Sequence, residues 1–314
     1  MQLPFEPMLL ERAQAPFADA NWLYQVKWDG VRNLALVEAG RVRHWSRRLR
    51  DRTALFPELD GLGRVFGPQR VVLDGEIIVL RAGKPNFAAI LERDVGSRSP
   101  EPRKVTQLPA VFMVFDLLEY GGQELYSRPL TERLELLGAL LAPTDHWQPV
   151  ASFPGNQGPD LFQAVVAQAM EGVVAKRLAS PYLVGHRSRD WLKIKRKQQM
   201  LAVVCGYHYT AGRPGGLLLG AYREGQLRYI GRAGSGLSGG DLDLLKANLP
   251  PGPCPFPRLP SLRDRFLGVP GEVVWTTPRL TLRVQFTEWT EEMRLRDPVI
   301  MGFATEPPEA AVIS

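Results

Sequence analysis

Residues Lys27-Trp28-Asp29-Gly30-Val31-Arg32 place a nucleophile beside an anion-binding fork. A lysine at the end of a β-strand, followed by Asp-Gly, can sit in a pocket and attack an electrophile once burial or nearby cations keep it partly deprotonated. Arg32 offers a planar guanidinium that suits a phosphate or the edge of a ribose. A K-x-D-G match alone is common in surface turns, so its weight comes from the residues that follow in order. Ser46-Arg47 ends the next hairpin strand, and Asp74-Gly75-Glu76 sets a carboxylate in an otherwise apolar strand. Phe115-Asp116 ends a second apolar strand, and its aromatic ring can stack on a base. Glu171 opens the segment EGVVAK, and in WLKIK the period of two sends Lys193 and Lys195 to one face. Two carboxylates suit a hard cation such as Mg2+, and two lysines on one face suit a polyphosphate.

Positioning these groups requires strands. Residues 22–37 alternate and are rich in β-formers, Ala39-Gly40 signals a turn, and RVRHWS resumes the alternation, which predicts a hairpin. VVLDGEIIVL at 71–80 and PAVFMVFDLL at 109–118 read as strands. Helices are expected at 86–93 with Asn86 as N-cap, at 129–141, and at 161–170 directly before the strand EGVVAKR. After residue 198 several short strands recur between Gly-rich turns, which predicts a small closed barrel, with the Pro-rich run 250–260 as a crossing loop. The expectation is an α+β chain with a mixed domain at 1–198 and an all-β domain at 199–314.

Composition narrows the class. The 314 residues are 45% hydrophobic and 23% charged, as in a globular protein. Apolar stretches stop well short of a membrane span, and MQLPFEPMLLERAQAP has neither the basic start nor the apolar run of a signal peptide, so a cytoplasmic protein without membrane contact is expected. Cys205 and Cys254 lack close Cys or His partners, which excludes a thiolate zinc site and a disulfide framework. With 39 Lys+Arg against 33 Asp+Glu the net charge is +6. Its placement says more: RVRHWSRRLRDR at 41–52 and HRSRDWLKIKRK at 186–197 each hold six basic residues and one acid, which points to a phosphate-rich partner such as nucleic acid.

Taken together, KWDGVR, SRR, LDGEI, FMVFDLL, EGVVAKR and WLKIK resemble motifs I, Ia, III, IIIa, IV and V of the covalent nucleotidyltransferases, the polynucleotide ligases and mRNA-capping enzymes. Within that group the chain is similar to bacterial ATP-dependent DNA ligases, in particular the ligase module of end-joining ligases. YIGRAGSGLS and RVQFTEWTEEMRLRDPVIMGF extend the likeness into the second domain. The resemblance implies an adenylation domain joined to an OB-fold barrel, ATP and Mg2+ (or Mn2+) as cofactors, and nicked duplex DNA as substrate. It implies that Lys27 attacks the α-phosphate of ATP, that AMP passes to the 5′-phosphate at the nick, and that the 3′-hydroxyl displaces it. By the same carry-over, Gln25, Val26, Arg32, Arg47, Glu76 and Phe115 contact the nucleotide, Phe115 by stacking. Lys193 and Lys195 neutralise the α-phosphate, and Glu76 and Glu171 face the metal. Arg47, Arg48, Arg50 and Arg232 face the nucleic acid, and Arg133 is a lesser candidate, with a helix-surface ion pair as its alternative. The relatives further imply a monomer acting near the nucleoid, with an end-binding protein and a repair polymerase as partners.

Two departures stand out. The family usually carries Glu two residues before the lysine, where this chain has Gln25. The family also ends with an Arg and an Asp-Lys pair that orient the pyrophosphate, whereas here Arg294-Leu295-Arg296-Asp297-Pro298 leads to ATEPPEAAVIS. Arg294 and Arg296 are then expected to substitute, or the first step is slow. An RNA ligase or capping enzyme, or a weakened DNA-binding relative, are the rival readings.

Overall fold

The computed structural model describes residues 5–94, 102–210, 213–238, 240–241, 245, 249–262, 271–290 and 292–313. The chain divides into two compact units, Met1–Arg196 and Lys197–Ser314. Among the described residues, no helix is long and apolar enough to cross a membrane.

Strands of the first unit are, in chain order, β1 (Leu9–Arg12), β2 (Trp22–Val26), β3 (Val31–Glu38), β4 (Arg41–Ser46), β5 (Val71–Arg81) and β6 (Lys84–Pro85). They continue with β7 (Ala110–Tyr120), β8 (Gln123–Glu124), β9 (Trp147–Pro149), β10 (Ser152–Pro154), β11 (Gly172–Arg177) and β12 (Arg187–Lys195). The helices are α1 (Leu62–Phe66), α2 (Phe87–Asp94), α3 (Pro102–Gln107), α4 (Leu130–Leu140) and α5 (Gly158–Ala167). One sheet has the order β1-β12-β11-β2-β10. The other has the order β4-β3-β5-β7-β8, with β6 on β5 and β9 on β7.

Residues 22–46 are therefore not one meander. Only Val31–Ser46 forms the expected hairpin, turned by Ala39 and Gly40 at φ 49° and 72°, as a two-residue hairpin loop requires. β2 belongs to the first sheet, and the chain changes sheets across Lys27–Gly30. Alternation along 22–37 hid the change because the strands on both sides of the break bury apolar side chains.

β5 and β7 are buried on both faces, which is why their sequences run apolar with little alternation. Between the sheets lie Leu23 and Trp191 from the first and Leu34, Leu36, Trp45, Val72 and Leu118 from the second. α5 covers the outer face of the first sheet through Val165, against Trp22, Tyr24, Val173 and Ile194. Leu62, Phe66, Ala89, Ile90 and Leu137 from α1, α2 and α4 cover the outer face of the second. Asn86 caps α2, its Oδ1 accepting the Ala89 N–H at 2.8 Å. α5 starts earlier than its apolar period indicated, with Pro159 in its first turn, where a missing N–H costs nothing.

In the second unit, β13 (Gln198–Thr210), β14 (Arg213–Arg223), β15 (Gln226–Ala233), β16 (Val273–Trp275) and β17 (Thr281–Phe286) are followed by β18 (Glu288–Trp289), β19 (Leu295–Arg296) and β20 (Val299–Ala304). One sheet has the order β15-β14-β13-β17-β20 with β16 on β13. Ser235 bridges Val299, bringing the end of β15 to β20 so that the sheet closes on itself. Ala202, Val204, Leu217, Leu219, Ile230, Leu282, Val284 and Ile300 fill its interior.

Candidate active site

Lys27 lies on the link between the two sheets, where its N–H donates to Gly172 O at 2.9 Å. Gly30 makes that link possible, since a Cβ there would lie 2.2 Å from Ile77 O on β5. The Lys27 ammonium meets Glu171 Oε2 at 2.6 Å, and Lys195 Nζ meets Oε1 of the same carboxylate at 2.8 Å. One acid thus bridges two lysines delivered by separate parts of the chain. Lys193 and Lys195 share a face of β12 with Trp191, two residues apart each time.

These lysines open onto a groove of about 920 Å3 that is also lined by Arg32, Arg47, Arg48, Arg50, Arg52 and Glu76. Ser46 shapes the loop that carries the arginines. Its carbonyl accepts from Leu49 N, its N–H donates to Arg50 O, and its hydroxyl accepts from Arg50 N. Leu49 takes φ 59° to complete the turn, and Arg47, Arg48 and Arg50 are left exposed. Glu76 faces this cationic field from β5. Burial pushes its carboxyl up to about 7, Lys27 and Arg32 counteract this, and Glu171 and Asp74 add to it. Burial and the proximity of Glu171 raise Asp29 as well.

A narrow slot adjoins the groove and shares Lys27, Arg32 and Glu76 with it. Leu10, Gln25, Val26, Trp28, Phe115, Val174, Lys176 and Trp191 complete its walls. Arg32 lies 4.6 Å from the Phe115 ring centroid, and Lys176 Nζ lies 4.4 Å from Phe115 and 3.9 Å from Trp191. The indole Nε1 of Trp28 is buried and has no hydrogen-bond partner among the described residues. Leaving such a donor unpaired costs about 1–3 kcal/mol.

Behind the slot lies a buried charge cluster. Asp74 and Asp116 sit opposite each other on β5 and β7. Arg32 grips Asp74 through two contacts of 2.6 Å, and Tyr182 donates to the same carboxylate at 2.6 Å. Arg133 grips Asp116 at 2.8 and 2.9 Å. Each aspartate is therefore already neutralised when Lys176 enters the cluster, and burial lowers this ammonium to about 7, against the pull of Asp116 and Asp74. Its Nζ donates to Phe115 O at 3.1 Å.

Gln25, Val26, Lys27, Arg32, Arg47, Arg48, Arg50, Glu76, Phe115, Lys193 and Lys195 all line the groove or the slot, and Glu171 joins them through its lysine pairs. Arg232 lies in the second unit with 6% of its surface exposed, enclosed rather than presented to a phosphate backbone. Neither reading of Arg133 survives as a surface group, because the guanidinium is wholly buried in its pair with Asp116. Arg294 donates to Tyr229 O and stacks 4.4 Å from that ring, and Arg296 pairs with Glu288 at 2.5 Å, so both are engaged inside the second unit. Lys176, Tyr182 and the wall position of Trp191 escaped the sequence reading. A lysine inside the apolar run GVVAKR was the available signal for the first.

Residues 7–195 match the model for the ATP dependent DNA ligase domain, and 210–306 match that for the ATP dependent DNA ligase C terminal region. The chain belongs to the ATP-dependent DNA ligase family. Its two units have the architecture of the adenylation and OB-fold domains of that family. This ligase-family chain is 32% identical over 303 residues to the multifunctional non-homologous end joining protein LigD of Pseudomonas aeruginosa, covering 93% of the chain and 34% of that protein. It is 34% identical over 204 residues to the SPbeta prophage-derived DNA ligase-like protein LigB of Bacillus subtilis, covering 64% of the chain and 71% of that relative. The crystal structure of the ligase domain from M. tuberculosis LigD matches at a TM-score of 0.56 and 30% identity, covering 99% and 98% of the two chains. A mycobacterial DNA ligase D complexed with ATP and MES matches at 0.54 and 31%. The ligase-family chain spans about a third of the length of the end-joining relatives it matches.

Proposed function

We propose that this chain is an ATP-dependent DNA ligase that seals nicks in duplex DNA through a lysyl-AMP intermediate, in repair or end joining. The observation that carries the reading is the Lys27–Glu171–Lys195 bridge at the junction of an aromatic slot and an arginine-lined groove. In the first step Lys27 Nζ, freed of its proton, bonds to the α-phosphorus of ATP as the bond to the β-phosphate oxygen breaks and pyrophosphate leaves. Phe115 offers a face for the base, Arg32 the ribose side, and Lys193 and Lys195 the phosphate oxygens. Glu171 orients Lys27 until the incoming phosphates compete for the lysines. Arg47, Arg48 and Arg50 then receive the 5′-phosphate strand. Each step moves charge among phosphate oxygens, so positioned cations supply most of the catalysis.

Glu76 and Glu171 suit Mg2+ or Mn2+ held jointly with substrate phosphates, the usual mode for an ion that keeps several waters and takes one or two carboxylates. Such an ion neutralises charge that develops on the phosphates. The names of the multifunctional end-joining relatives support a role in end joining, and the reading extends to a monomer that works in the cytoplasm beside an end-binding protein and a repair polymerase.

Incubation with α-labelled ATP should leave acid-labile label on the wild-type chain and none on Lys27→Ala. Sealing of nicked duplex DNA should be lost with it. Label on the variant, or sealing without Lys27, would overturn the reading; sealing of nicked RNA in preference to DNA would replace it with the RNA ligase alternative.

A further inference from the structure

We propose that the slot takes 6-oxopurine as well as 6-aminopurine nucleoside triphosphates, because its one uncharged hydrogen-bonding amide, Gln25, keeps its support from Ser152 in either orientation. The inference rests on the nucleotidyl-transfer reading and deepens it to a substrate class.

Gln25 is 2% exposed on β2 and lines the slot with Val26, Trp28 and Phe115. Its Nε2 donates to Ser152 Oγ at 3.1 Å, and Ser152 is its register partner on β10. A serine hydroxyl both donates and accepts, and an amide carries a donor on one side and an acceptor on the other. If the amide turns by half a rotation, Ser152 donates to Oε1 and Nε2 takes the place of Oε1. The number of hydrogen bonds is unchanged. In one orientation Gln25 accepts from an exocyclic amino group, and in the other it donates to an exocyclic oxygen. A carboxylate at this position could only accept, and would set its charge against an oxo group at a cost of at least about tenfold in use of that base.

The apolar and aromatic side chains of the slot walls do not read the difference. Phe115 can stack on any base face. Lys176 directs its Nζ at Phe115 O and at the two rings rather than at one base substituent.

The chemical step is unchanged by the base. Lys27 Nζ gives its electron pair to the α-phosphorus and its proton to solvent, the bond from that phosphorus to the bridging oxygen breaks, and pyrophosphate carries off the pair. Inosine triphosphate then yields lysyl-IMP where ATP yields lysyl-AMP.

The full chain should be incubated with α-labelled ATP and, separately, α-labelled ITP, which differs at the 6-substituent and the adjoining ring proton. The rate of acid-labile labelling per unit substrate is compared. ITP should label within about tenfold of ATP, and a larger preference for ATP overturns the inference. Gln25→Glu should shift the ratio toward ATP by about tenfold or more, and an unchanged ratio also overturns it. Ser152→Ala removes support from both orientations alike, so it should slow both substrates and leave the ratio in place; a shifted ratio means Ser152 selects an orientation and the inference fails. Absence of label from ATP itself would instead defeat nucleotidyl transfer, which separates the two failures.

Discussion

Replacing Arg133 by Ala should destabilise the first unit by about 3–5 kcal/mol. On a helix surface the same change would cost at most about 1 kcal/mol. The difference lies in what is left behind. Arg133 and Asp116 are both wholly buried, with two contacts of 2.8 and 2.9 Å, and Arg133 Nη1 also donates to Arg128 O at 2.5 Å and Ser180 O at 3.0 Å. Removal leaves the Asp116 carboxylate with its bond from Leu117 N at 2.9 Å, and strips a donor from two carbonyls. Each unmet group costs about 1–3 kcal/mol, and the terms overlap rather than add. At about 2–4 °C per kcal/mol for a unit of this size, the melting temperature should fall by roughly 6–20 °C. Calorimetry and urea unfolding of the full chain measure it. The double variant Asp116→Leu with Arg133→Met removes the stranded charge, and should recover all but about 1–2 kcal/mol, since the carbonyls remain unpaired. A loss below about 1 kcal/mol for Arg133→Ala, or a double variant no more stable than the single one, would refute the claim that a stranded buried charge dominates.

Three further outcomes follow from the site. Glu76 ionises near 7 in the folded chain against an ordinary 4.5, so the folded state holds more protons across that interval and stability falls as pH rises through it. The whole shift corresponds to about 3 kcal/mol, reduced to about 1–2 by the side chain's partial exposure to the groove. Glu76→Gln should therefore gain that much on the wild type between pH 4 and pH 8 in urea unfolding, and an equal difference at both would contradict the cause given. Gly30→Ala should lose about 1–3 kcal/mol and most Lys27 labelling, because its Cβ would lie 2.2 Å from Ile77 O and 2.8 Å from Ile78 Cγ2. Arg47→Ala and Arg50→Ala should each reduce by about one unit the slope of log affinity for nicked DNA against log salt. Unchanged slopes would remove the groove from the DNA path.

The motif residues were legible because their types are improbable where they stand. Glu76 in an apolar strand, Lys193 and Lys195 at a period of two, and Lys27 before Asp-Gly each contradict what packing alone asks for. The helices at 87–94 and 130–140 were legible for the opposite reason, since their periods agree with simple burial. The change of sheet at Lys27 was not legible. A strand that enters one sheet and a strand that leaves for another can share the same alternation, and what separates them is the approach of Gly30 to Ile77, some 47 positions away in the chain. Arg232 and Arg133 were misjudged for a related reason. Charge in a sequence carries no sign of whether a partner waits for it inside.

Local chemistry along the chain was thus enough to single out Lys27 and the acids and cations that the fold gathers around it, and the α+β-then-barrel order, because residue type and strand periodicity depend on near neighbours. Tertiary structure alone decided which cations are available to a ligand. Arg32 and Arg133 are bound to Asp74 and Asp116 on the two central strands, and burial lowers the Lys176 ammonium to about 7 against the pull of those aspartates. Lys27 and Lys195 are left sharing one carboxylate at the edge of a groove. Desolvation and pairing are properties of what surrounds a charge in space, and the chain brings that surrounding together only when it folds.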